Sequence, residues 1–159
     1  MPVEEYLHTS FPDLDREYRD GEVVERSMPN YPHGKTQALL TAFFLALKLP
    51  TRVFPCSETR MRLREGLILI PDVAVFWRDE PPALPDRPPL IVVEILSPDD
   101  RLSALRAKLE EYRGWGVPHV WLVDPHLRGM YSCEARLMEV EKLAAPEIGV
   151  EVEASAIFG

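Results

Sequence analysis

The chain has 159 residues, of which 46% are hydrophobic and 28% charged, and its formal net charge is −8. That size and balance suit one folded domain, residues 1–159, with a core of its own, and they exclude a disordered chain and one that coats nucleic acid or anionic lipid through bulk positive charge. No apolar run approaches the roughly 20 residues that cross a bilayer, and the acidic start MPVEEYLHTSF lacks a signal-peptide core, so a cytoplasmic protein with no membrane role is expected.

From the N-terminus, VEEYL (3–7) is predicted as a short helix. REYRDGEVVERS (16–27) reads as a hairpin, because Asp20-Gly21 is a two-residue turn between alternating segments. GKTQALLTAFFLALKL (34–49) is predicted as a helix, and its almost wholly apolar second half places it centrally. TRVFPC (51–56) and TRMRLRE (59–65) are predicted strands, the second with an exposed arginine-rich face. Glu65-Gly66 turns the chain into LILIPDVAVFW (67–77), a long strand interrupted by Pro71. PLIVVEIL (89–96) is the next strand. Asp99 or Asp100 is expected to cap a helix over 101–114, with Gly114 and Gly116 to end it. PHVWLVDP (118–125) is a buried strand, and GMYSCEA with RLMEVEKL forms a late hairpin or meander. Residues 89–125 therefore make a β-α-β unit whose strands are apolar on both faces, as parallel neighbours in mid-sheet are. The expected fold is mixed α/β around a central sheet.

Charge is uneven along this chain. Residues 52–64 hold Arg52, Arg60, Arg62 and Arg64 against Glu58, and residues 101–108 hold Arg101, Arg106 and Lys108 with no acid. A locally basic face and scattered solubilising arginines are both compatible with that pattern. Cys56 and Cys133 fit no zinc spacing and read as two reduced thiols. Trp115 and Trp121 suit core strands or, if exposed, a homodimer contact.

Two carboxylates break the pattern of apolar strands. Side chains alternate faces along a strand, so Glu94 shares a stripe with Val92 and Leu96, and Asp72 shares one with Ile70, Ala74 and Phe76. An ionised carboxylate buried without a partner costs several kcal/mol or shifts its pKa until it neutralises. An arginine or backbone N–H partner for each is one explanation. A divalent ion between them is the other, and carboxylate oxygens suit Mg²⁺ or Mn²⁺. Lys108, in the helix after the Glu94 strand, would complete a hydrolytic site by orienting water or stabilising developing charge. A solvated helix-surface lysine is the competing reading.

With IPD at 70–72, VEILSP at 93–98, Lys108, Tyr112 and GVPHVWLVDP at 116–125, the chain resembles the Uma2 family of proposed endonucleases (DUF820), within the PD-(D/E)XK, restriction-endonuclease-like superfamily. YRDGEVVERS, His33 and the final Ile157-Phe158 extend the resemblance over most of the chain. It implies a restriction-endonuclease-like α/β fold, a central mixed β-sheet flanked by helices, with a metal-dependent site. Asp72 would be the aspartate of the PD element, Glu94 the glutamate of E-x-K, and the carbonyl of Ile95 a third metal ligand. The lysine of E-x-K belongs at position 96, where this chain has Leu96; the resemblance implies that Lys108 has taken its place. Ala104 stands where many relatives have an aspartate. Glu25 and His33 match the N-terminal block and are candidates for an outer site, with a solvated hairpin residue and a helix-start residue as their alternatives.

Three functions remain in view. The first is a Mg²⁺- or Mn²⁺-dependent endonuclease acting on DNA, with Arg60, Arg62 and Arg101 as candidate DNA contacts and with a homodimer admitted by the resemblance. The second is a catalytically silent binding or regulatory module on the same fold, motivated by Leu96 and the acidic net charge. The third, a hydrolase of a small phosphorylated substrate, is weakened by the absence of a glycine-rich phosphate loop.

Overall fold

The computed structural model describes residues 1–48 and 52–159. Turn chemistry sets the first elements after a short helix, α1 (Val3–Leu7). Asp20 (φ 46°) and Gly21 (φ 97°) close the expected hairpin between β1 (Glu17–Arg19) and β2 (Glu22–Val24). Both adopt the left-handed backbone that a tight hairpin requires and that Asp and Gly tolerate. Gly66 (φ 82°) performs the same service between β4 (Met61–Arg64) and β5 (Leu67–Leu69). These four strands form one sheet in the order β2-β1-β5-β4.

A six-stranded sheet holds the rest of the chain together. Its members are β3 (Val53–Ser57), β6 (Val73–Trp77), β7 (Ile91–Ile95), β8 (His119–Asp124), β9 (Gly129–Cys133) and β10 (Leu137–Glu139), in the order β10-β9-β8-β7-β6-β3. β7 and β8 are parallel and are joined by α3 (Leu102–Trp115), as the β-α-β reading expects; their other neighbours are antiparallel. A separate ribbon pairs β11 (Lys142–Ala145) with β12 (Val150–Glu153).

Alternation along the strands sends apolar side chains to both faces of the large sheet. On one face, Leu40 and Phe44 of α2 (Tyr31–Leu45) and Ile157 of α4 (Ala154–Phe158) pack with Val73, Val93 and Trp121. On the other, Leu105, Leu109 and Tyr112 of α3 pack with Ala74, Val92 and Leu122, and Met61, Leu67 and Leu69 of the smaller sheet join them. Trp121 is fully buried, so it is a core residue.

Several boundaries differ from the sequence expectation for identifiable reasons. α2 begins at Tyr31 rather than 34, because the Asn30 side chain accepts the His33 N–H (3.2 Å) and Pro32 occupies the first turn, where its missing N–H costs nothing. It ends at Leu45, and residue 49 of the predicted helix, like residue 51 of the predicted strand, lies outside the described residues. The predicted strand 67–77 is two strands in two sheets, since Pro71 cannot donate to a ladder. Neither Asp99 nor Asp100 caps α3: Arg101 holds the cap position without a side-chain bond, while Asp100 folds back onto the Ser97 N–H (2.7 Å) and the Ser27 hydroxyl (2.6 Å). Gly116 (φ 109°) ends that helix, and Gly114 lies inside it. RLMEVEKL divides between β10 and the separate ribbon.

Phe44 stacks near Trp121, with ring centroids 6.3 Å apart, and is almost wholly buried. Phe44→Ala should cost about 3–5 kcal/mol, read as a lower urea midpoint with an unchanged slope; a shift under about 1 kcal/mol would show that α2 is not anchored through this residue.

Candidate active site

The site begins with a break in the backbone. Ile70, Pro71 and Asp72 carry the chain out of the smaller sheet and into the larger one, so the backbone groups of Ile70 leave the β-ladder. A buried N–H or C=O that leaves a ladder needs another partner. The Ile70 N–H finds Glu17 Oε2 at 2.7 Å, and the Ile70 C=O accepts from Lys108 Nζ at 3.1 Å. A similar vacancy occurs one strand away. The β6–β7 register runs only from Val75–Ile91 to Val73–Val93, so the Ile95 N–H points beyond it and donates to Asp72 Oδ2 at 2.7 Å.

Lys108 draws three elements together. Its ammonium lies 2.7 Å from Glu17 Oε2 and 2.8 Å from Glu94 Oε1, in addition to the Ile70 carbonyl. An ammonium has three N–H donors, and all three have acceptors here. Lys108 reaches this position because Leu105, Lys108, Leu109 and Tyr112 follow the i, i+3, i+4, i+7 spacing of one helix face, the face that α3 turns inward. Tyr112, one turn further on, donates its hydroxyl to Glu94 Oε1 at 3.0 Å.

Asp72 is held from the opposite side. His33 Nε2 lies 3.3 Å and Arg26 Nη2 3.5 Å from its Oδ1. Arg26 also reaches Glu58 (3.3 Å), and its side chain is only 8% exposed. Gln37, one turn after His33, donates to the Asp72 main-chain carbonyl at 2.9 Å. α2 thus supports Asp72 through side chains four residues apart on one face. The Nδ1 of His33 is buried and has no partner among the described residues.

Three buried carboxylates, Glu17, Asp72 and Glu94, share this space with Lys108 and Arg26. Burial pushes the Glu94 carboxyl up, Lys108 opposes, and Asp72 and Glu17 add to the rise, leaving it at about 8. Burial also acts on Asp72, but the His33 contact, the charge of Lys108 and the Ile95 N–H outweigh it and hold this carboxyl below its ordinary range. Lys108 is held protonated: burial disfavours its charge, and Glu94, Glu17 and Asp72 more than compensate. Burial and the charges of Glu94 and Glu17 push the Tyr112 hydroxyl up, so it is a firm proton donor to Glu94.

Asp72, Glu94, Ile95 and Lys108 line one cleft of about 410 Å³. Exposed Arg101 and Ala104, at the start of α3, form part of its rim, so it opens to solvent. His33 is brought into direct contact with Asp72. Glu25 lines the cleft but is 78% exposed and pairs with Arg16 at 3.4 Å. Arg101 stands at the rim of the cleft. Arg60 and Arg62 are not part of the cleft. Arg60 is committed elsewhere: Asp15 (2.7 and 2.8 Å) and the carbonyls of Tyr6 and Thr9 take its donors, and its guanidinium lies 4.2 Å from the Tyr6 ring centroid. The expected exposed arginine face therefore does not include Arg60.

Sequence reasoning missed Glu17, Arg26 and Gln37. Glu17 opens β1 at the end of a charged hairpin away from its turn, and its burial follows only from docking of that hairpin beneath α3. Gln37 was detectable in principle as the polar residue one turn after His33 on the same helix.

The oxygen-rich donor set fits a hard divalent cation. Glu94 Oε2 accepts no hydrogen bond from the described residues, and Asp72 Oδ1 has only the two long contacts to His33 and Arg26. Among the described residues no group of three or more His, Cys, Asp or Glu side chains is arranged to hold a metal. Mg²⁺ does not need such a cage: it commonly keeps several waters and takes one or two carboxylates.

A sequence model of the Uma2 family, described as "Putative restriction endonuclease", matches residues 3–152. A crystal structure of a "putative nuclease belonging to DUF820" from Anabaena variabilis ATCC 29413 has the same fold, with a TM-score of 0.80 and 19% identity over 99% of this chain and 97% of that one. No curated protein matches the chain. The fold is therefore the expected restriction-endonuclease-like one.

Between its ordinary 4.5 and about 8, folded Glu94 keeps a proton that the unfolded chain releases, so this residue's contribution to stability falls as pH rises through that window. Glu94→Gln, which mimics the protonated form, should stabilise the protein in EDTA by roughly 1–3 kcal/mol at about pH 9 and change it little at about pH 5. Urea midpoints of both proteins at the two pH values measure this; a wild-type advantage at the higher pH would contradict it.

Proposed function

The chain belongs to the Uma2 family, and from that premise we propose that it is a metal-dependent endonuclease, acting as one domain on DNA in the cytoplasm. One observation carries the proposal: Asp72, Glu94 and Lys108, from three separate segments of the chain, meet in one solvent-open cleft. Asp72 Oδ1, Glu94 Oε2 and the Ile95 carbonyl are the oxygens that would hold Mg²⁺ or Mn²⁺. When bound, that ion would polarise a phosphoryl oxygen and lower the pKa of a coordinated water.

The chain's own residues perform the remaining work. Lys108, the counterpart of the E-x-K lysine that Leu96 lacks, supplies a fixed positive charge beside the scissile phosphate and orients the attacking water. Glu17 and the Ile70 carbonyl keep it in place from behind. Tyr112 fixes one oxygen of Glu94, leaving the other for the cleft. Arg26 and His33 orient Asp72, and Arg101 at the rim supplies a phosphate contact. The open cleft favours a polymer over a small phosphorylated substrate.

A second reading, binding without turnover, has its own support. Lys108 already gives all three N–H groups to the protein, and Glu94 is one of its acceptors. The nuclease reading requires Lys108 to release one of these bonds when substrate enters.

Nicking of supercoiled DNA in Mn²⁺ distinguishes the two. Wild type should nick, while Asp72→Asn, Glu94→Gln and Lys108→Met should each lose about 10²–10³-fold in rate. Calorimetric titration with Mn²⁺ should show binding lost in Asp72→Asn and retained in Lys108→Met. No nicking by wild type, or equal nicking by Asp72→Asn, would refute the nuclease reading.

A further inference from the structure

The cleft continues past Ser97 and Asp100 into a second groove of about 390 Å³. Its walls are apolar: Pro32 from the first turn of α2, Leu96 and Pro98 after β7, and Pro125 and Leu127 after β8. The two spaces differ in their cations. Arg19, Arg26, Arg101 and Lys108 line the cleft among six carboxylates, Asp100 included, whereas the groove has no Lys or Arg and carries Asp100 and Asp124.

Asp124 sets the chemistry of the groove. It is only 8% exposed. Its Oδ1 accepts the N–H groups of His126 (2.9 Å) and Leu127 (3.3 Å), which fixes the turn after β8. Its Oδ2 accepts no hydrogen bond from the described residues. That oxygen keeps contact with solvent at the groove and is free to accept from a ligand. Leu127, on the same turn, is 73% exposed and gives the groove an apolar rim that no part of the described chain covers.

A phosphate would be repelled here. A nucleobase has the complementary properties: two apolar faces, no net charge, and in adenine, cytosine and guanine an exocyclic amino donor at its edge. We infer that this groove is a subsite for one unstacked base, belonging to a nucleotide whose phosphate lies in the adjoining cleft, with the amino group of the base donating to Asp124 Oδ2. The inference rests on the nuclease reading and deepens it by naming the substrate class. A base can enter between the proline and leucine walls only when both of its faces are free, so the substrate is single-stranded or locally unpaired DNA; a paired base would first have to flip out at a cost of a few kcal/mol.

The test is cleavage by the full chain in Mn²⁺ of labelled oligo(dA), oligo(dC) and oligo(dT), and of the oligo(dA)·oligo(dT) duplex. Single-stranded oligo(dA) and oligo(dC) should be cut about tenfold faster than oligo(dT), which lacks the amino donor, and about tenfold faster than the duplex. Asp124→Asn can keep its carbonyl oxygen for the turn while presenting an NH₂ where Oδ2 stood, so its preference should invert toward oligo(dT). Leu127→Glu, at an exposed position, should lower single-strand cleavage about tenfold without changing thermal unfolding. Equal rates on all substrates, unaffected by either variant, would overturn the base subsite and leave the nuclease reading intact. Cleavage of no DNA at all would overturn both. If Leu127→Glu instead dissociates a dimer in sedimentation with cleavage unchanged, a second copy of the chain covers the groove and the inference fails.

Discussion

The ammonium of Lys108 and its three acceptors form the junction on which the site depends. Glu17 comes from the hairpin of the smaller sheet, Glu94 from a central strand of the larger one, and Ile70 from the segment that crosses between the sheets. Each acceptor is buried and would be costly to leave without a donor. One lysine therefore fixes the relative position of two sheets and a helix while standing at the floor of a cleft. Pro71 makes the arrangement attainable. By interrupting the strand, it releases both backbone groups of Ile70 from ladder pairing, and the site uses both.

The same junction produces the electrostatics of the site. Three buried carboxylates this close together cannot all be comfortably ionised, and Lys108 with Arg26 offsets only part of the repulsion. Asp72, with a backbone N–H and two basic side chains around it, keeps its charge. Glu94 has Lys108 and Tyr112 but lies deep among like charges, and its carboxyl rises. Two carboxylates on neighbouring strands thus acquire opposite tendencies from their surroundings. A cluster left short of positive charge is suited to a divalent cation, and it lies beside a groove that has no Lys or Arg and carries Asp100 and Asp124.

Much of the fold was legible because periodicity reports local geometry directly. The Asp20-Gly21 turn, the apolar strands at 91–95 and 119–124, and the α3 crossover between them all follow from side-chain alternation and turn chemistry. Failures fell where a side chain had two uses. Asp100 carries the composition of a helix cap but bonds Ser97 and Ser27 instead, a choice that depends on where Ser27 is brought by the fold. Arg60 resembles a surface cation in an alternating strand, yet it is drawn inward by Asp15 and Tyr6 from the N-terminal segment.

Asp72 and Glu94 stood out from the sequence alone because each violates an apolar strand, and a violation of that size demands a compensating partner. The sequence also placed Lys108 in the helix that follows Glu94. What those partners are was decided only by tertiary structure. Glu17, Arg26 and His33 lie 55, 46 and 39 positions before Asp72, and hydrogen bonds between such distant positions leave no periodic trace along the chain. The free Asp124 oxygen belongs to the same class: its turn is local and readable, whereas the groove that it faces exists only because Pro32 and Leu96 arrive from two other parts of the chain.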